Sequence, residues 1–188
     1  TNATTIYATT TLYGLGGVTL QTGTGGSPTL IIGNGATVNA SSSVVLVKAT
    51  STLQMGNSTW GSGILKLGDG TDNAKPLSIG GLATFTASTA ATGTVTYIGS
   101  NVVTIATTTY YNLTLTPTST AAARTFTFGA SDNTCTSGGC TATTTVSNVF
   151  TLSSAAHANF NNTAVILSGS GTVFSKANGT FVANGSLI

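Results

Sequence analysis

Short runs in which apolar and hydroxyl side chains alternate fill this chain from end to end, and they set its fold class. Tyr110-Tyr-Asn-Leu-Thr-Leu-Thr116 is the plainest: Leu113 and Leu115 fall on one side of an extended strand, Thr114 and Thr116 on the other. Comparable runs are Thr29–Ile32, Val44–Val47, Ile64–Leu67, Val95–Ile98, Val102–Ile105, Arg124–Phe128, Val149–Leu152, Ala164–Leu167 and Thr180–Ala183. Turn signals separate them, at Gly33-Asn-Gly35, Gly68-Asp-Gly70, Gly80-Gly81, Ser168-Gly-Ser-Gly171 and Asn178-Gly179. Apolar residues do not recur at three- and four-residue spacing, so no helix is expected. The class is all-β.

Two architectures fit that pattern. A parallel β-solenoid, or β-helix, is favoured by three features. The style is uniform along the chain, phrases such as Gly93-Thr-Val95 and Gly171-Thr-Val173 recur, and Thr and Asn are abundant. Thr and Asn side chains hydrogen-bond well to copies of themselves on neighbouring rungs. The alternative is a jelly-roll-like β-sandwich with strand complementation between subunits. The expected organisation is an N-terminal strand and glycine-rich hinge over 1–17, open to exchange between subunits, and a single all-β domain over 18–188. In the first part, Thr4–Tyr13 reads as one strand, with Ile6 and Leu12 on one face and Tyr7 and Tyr13 on the other. Gly14-Leu-Gly-Gly17 follows it as a flexible joint. The pairing of that strand with another subunit's exposed edge is the expected mode of assembly.

Composition narrows the function. The chain has five Lys or Arg and three Asp, with no Glu, so 4% of it is charged, against about 25% in an ordinary domain. Little charge means little repulsion between copies. It also leaves few groups for acid–base chemistry. The basic residues Lys48, Lys66, Lys75, Arg124 and Lys176 are scattered, and the net charge is +2, so no nucleic-acid partner is expected. No apolar run approaches the ~18 residues of a membrane-spanning helix. Opening on Thr1 rather than Met reads as a processed terminus or as a piece of something longer.

The candidate sites are few. Cys135 and Cys140 flank Thr-Ser-Gly-Gly, a turn that brings two sulfurs together, and are expected to form a disulfide in an oxidising compartment. Asp69, Asp72 and Asn73 are hard oxygen donors on a glycine-flexible loop, a weak calcium candidate that an Asp-Gly turn explains equally well. No other cofactor is expected. His157, the single histidine, lacks an evident carboxylate and nucleophile and reads as a loop or rung residue. Trp60 could serve as a sugar platform or, more simply, as a core plug. Asn-x-Ser/Thr sequons stand at Asn2, Asn39, Asn57, Asn112, Asn161, Asn178 and Asn184. All but Asn112, read as mid-strand and therefore hidden, are glycosylation candidates.

The phrase Thr107–Thr116, with its Tyr-Tyr-Asn-Leu-Thr-Leu core, resembles rungs of large bacterial surface proteins with parallel β-helical repeats. Ser168–Val173 and Gly179–Gly185 are similar to the Gly-Thr and Ala-Asn-Gly phrases that follow such rungs, so the resemblance covers roughly residues 90–188. It implies a secreted, adhesin-like or structural role. The expected function is therefore a self-assembling structural subunit of an extracellular filament, sheath or surface layer, a homopolymer with itself as partner. The alternative is an adhesin module binding a glycan or a surface at the cell exterior. No enzyme is expected.

Overall fold

The computed structural model describes residues 3–6, 10–11, 18–20, 29–33, 35–40, 45–47, 51–56, 58–59, 61–67, 76–79, 84–86, 92–99, 103–117, 124–129, 143–160 and 163–182. Among them the only regular structure is β-strand, and there is no helix. The longest sheet has seven strands: β2 (Thr10–Thr11), β5 (Thr37–Ala40), β8 (Ile64–Leu67), β11 (Thr94–Gly99), β14 (Asn112–Pro117), β17 (Phe150–Leu152) and β20 (Phe174–Lys176). Beside it run β1 (Ala3–Ile6), β4 (Thr29–Ile32), β7 (Thr52–Gln54) and β10 (Thr84–Thr86), then β13 (Thr109–Tyr110), β16 (Thr143–Val146) and β19 (Ala164–Leu167). The remaining strands are β3 (Val18–Leu20), β6 (Val45–Val47) and β9 (Leu77–Ile79), then β12 (Val103–Ile105), β15 (Arg124–Phe128), β18 (Ala156–Asn159) and β21 (Thr180–Val182).

One rule holds within all five sheets: neighbouring strands are three apart in chain order and every such pair is parallel, while β9 and β12, and β10 and β13, do not pair, which divides the flanking sheets. Parallel partners need a crossover between them, and here two other strands with their corners supply it. Three consecutive strands, each in a different sheet, are called a tier below. No antiparallel strand pair occurs among the described residues, so the antiparallel β-sandwich finds no support there.

Register follows from period-two alternation. Val38, Leu65, Val95, Leu113, Phe150 and Phe174 pair in line across the long sheet, and the first five are buried. Two residues on, Ala40, Leu67, Tyr97, Leu115, Leu152 and Lys176 form a second line, buried from Leu67 to Leu152. Between them Asn39, Lys66, Thr96, Thr114, Thr151 and Ser175 occupy the outward line. A slip of one residue would put this polar line into the core.

Two readings of the sequence need correction. Thr4–Tyr13 is not a single strand: Ala3–Ile6 and Thr10–Thr11 are separate strands in different sheets. Ile6 ends β1 opposite Ile32 of the same chain, while Tyr7, Leu12 and Tyr13 lie outside the described residues. The Tyr110–Thr116 run is also divided, because Tyr111 turns a corner between β13 and β14. Asn112 therefore opens a strand instead of lying in mid-strand.

Candidate functional site

Fully buried side chains of two tiers meet in a closed hydrogen-bond ring. Tyr97 on β11 and Tyr110 on β13 are both inaccessible to solvent, and their hydroxyl oxygens are 2.9 Å apart. Tyr110 donates to the Ala106 carbonyl at 2.8 Å, and the Ala106 N–H donates to the Tyr97 oxygen at 3.2 Å. The Tyr97 proton is thereby directed to Tyr110, and each phenol both gives and receives. Their rings meet edge-on, with centroids 6.3 Å apart. Burial pushes the Tyr97 pKa from 10.0 up to about 12, against the opposing effect of its hydrogen bonds. Burial raises Tyr110 well above 10.0, reinforced by its neighbour's charge and hydrogen bond. Both therefore stay neutral at ordinary pH, holding the core together without supplying a base.

Phenylalanines dominate the later tiers. Phe128 meets Phe160 edge-on at 4.9 Å, and Phe150 stacks on Phe174 at 5.4 Å. Phe181 stacks on Phe160 at 6.1 Å but is 45% exposed, although its line partners Ala158 and Phe126 are fully buried. Phe150, Phe160, Val165, Leu167, Phe174 and Phe181 surround a hollow of about 70 Å3 with an apolar lining. The exposed large apolar residues among those described, Ile166, Phe181 and Val182, all belong to this last tier. Lys176 stands in the same tier, where the second inward line ends. Its Nζ donates to the Gly179 carbonyl at 2.9 Å.

At one corner, asparagines form a short ladder. Asn148 Nδ2 donates to Asn112 Oδ1 at 2.8 Å, and Asn112 Nδ2 reaches Thr94 Oγ1 at 3.4 Å. Thr94 and Asn112 are the paired first residues of β11 and β14, whereas Asn148 lies at the corner before β17.

Three of the other candidates lie among the described residues. His157 is half-buried on β18, between Thr125 and Thr180 in register. Asn39 lies on β5, and Asn178 is exposed in a turn at φ 56°. Cys135, Cys140, Asp69, Asp72, Asn73, Trp60, Asn2, Asn57, Asn161 and Asn184 lie outside the described residues. Among those described, no group of three His, Cys, Asp or Glu could hold a metal, and no helix is long and apolar enough to cross a membrane. The tyrosine ring and the place of Lys176 escaped the sequence reading, because both depend on register. The repeated apolar–Thr–apolar spacing was the available signal for it.

No family model matches this chain, and neither curated proteins nor solved structures yield a match.

Proposed function

We propose that the chain is a three-faced parallel β-solenoid serving as a structural subunit of an extracellular filament, sheath or surface layer, joined end to end through its strand edges. The observation that carries this reading is the pairing rule. Among the described residues it leaves β1 to β3 and β19 to β21 with one partner strand each, as it does β9, β10, β12 and β13 where the flanking sheets change over. Unpaired edges of parallel sheet are templates for another chain. The first tier of one copy matches the last tier of another in strand number and direction, so a junction would continue the ladders. On this reading residues 1–17, with Ile6, Tyr7, Leu12 and Tyr13, meet the next copy's edge. Low charge favours close association, and a Cys135–Cys140 disulfide suits an oxidising exterior.

A second reading, an adhesin module for a glycan or a surface, is favoured by the outward line of Thr96, Thr114, Thr151 and Ser175. Sedimentation and electron microscopy across a concentration series separate the two. Filaments without added ligand support the structural subunit. A chain that stays monomeric at every concentration overturns it.

A further inference from the structure

We propose that Lys176 is a gatekeeper against end-to-end addition of a second copy of this chain. This rests on the filament reading above and adds to it the residue that restrains growth. The line through Leu67, Tyr97, Leu115 and Leu152 is uncharged and fully buried, and Lys176, which is exposed, takes the next place in register. A position that is uncharged and buried in four successive tiers thus becomes charged in the last described one. The neighbouring inward line does the opposite, ending on the aromatic Phe174, and Phe181 ends a third line half-exposed. An added tier would cover all three positions. It would bury the phenylalanines with gain, and it would strip water from an ammonium with no carboxylate in the described residues of its tier.

Inward-pointing charge on a strand edge is a recognised means of refusing a further strand. Local packing holds this one in place. The Lys176 ammonium is tied to the Gly179 carbonyl at 2.9 Å, and Gly179 is itself fixed. A Cβ there would lie 2.7 Å from Leu152 Cγ and 2.8 Å from the Ala156 carbonyl oxygen. The charge is thereby tied to the corner that packs on Leu152, and Lys176 itself is exposed, its long stem leaving the head in water.

The test compares wild type, Lys176→Leu and Lys176→Arg by sedimentation velocity over a concentration series. Circular dichroism confirms the β-fold of each. Lys176→Leu is expected to assemble at a concentration roughly tenfold or more below wild type, the gain from burying one leucine side chain. Lys176→Arg, which keeps the charge, should follow wild type. Should Lys176→Leu fail to fold, Lys176→Gln removes the charge at similar length and decides in its place. Wild type and the uncharged variant assembling at the same concentration would overturn the gatekeeper and leave the filament standing. Assembly of the uncharged variant alone would uphold the gatekeeper and overturn the filament for the natural chain. Assembly of neither would overturn both.

Discussion

The hydroxyls of Tyr97 and Tyr110, 2.9 Å apart in the dry interior, are joined through the Ala106 backbone into a ring whose donors and acceptors are all used. The ring ties β11 to the corner that leads into β13, on a neighbouring sheet. A buried polar network of this kind rigidifies a core when every member is satisfied and weakens it when one is missing.

Tyr97→Phe removes the proton given to Tyr110 and the acceptor of the Ala106 N–H. It should cost about 1–3 kcal/mol, the range for stranding a buried polar group, in urea unfolding curves. The double variant with Tyr110→Phe should cost less than the sum of the single changes, because the two share one network.

Alkaline pH should loosen the fold through the same pair. Both folded-state pKa values lie above the ordinary 10.0, Tyr97 at about 12. The folded chain therefore keeps these protons at a pH where the unfolded chain loses them. The stabilisation is complete below pH 10.0 and falls as pH rises through about 12. Unfolding free energy measured against pH should decline across that window, and more gently in the double Phe variant.

Much of this architecture is legible in the alternation of side chains. The runs Thr29–Ile32, Ile64–Leu67, Arg124–Phe128 and Ala164–Leu167 are strands with those very bounds. In them the core needs an apolar residue at every second place, and Gly or polar residues mark the ends. The corner at Tyr111 carries no Gly or Pro, so two strands read as one and Asn112 was misplaced. The partnership of Tyr97 with Tyr110 was hidden for another reason. The two residues lie on different sheets, and only register and a corner bring them together. Lys176 looks like any surface lysine until Leu152 is seen to be its partner.

Gly93 stands where tiers approach too closely for a side chain. A Cβ there would lie 2.5 Å from the Met55 carbonyl oxygen and 2.7 Å from that of Gly63. Both contacts are backbone and cannot swing aside. Gly93→Ala should destabilise by about 2–3 kcal/mol, the upper part of the range for overpacking, with the loss visible as a lower thermal midpoint.

Thr144 offers the opposite experiment. Its side chain is fully buried on β16, facing inward opposite Val165, and its Oγ1 has no hydrogen-bond partner. Replacing the hydroxyl by a methyl in Thr144→Val should stabilise by about 1 kcal/mol, the desolvation penalty relieved. A calorimetric midpoint at or below wild type would show that the hydroxyl is satisfied.

The stacking of tiers is the claim on which everything else rests, and one distance tests it. Asn39 and Ser175 are joined by five parallel pairing steps through Lys66, Thr96, Thr114 and Thr151. At a strand spacing of about 4.8 Å the two positions should be about 24 Å apart. Spin labels placed there in a chain with Cys135 and Cys140 changed to Ser should give, by pulsed electron resonance under monomeric conditions, one narrow distribution centred near that separation once the label tethers are included. A distribution centred near a single strand spacing, or one spread over tens of ångströms, would contradict the stack.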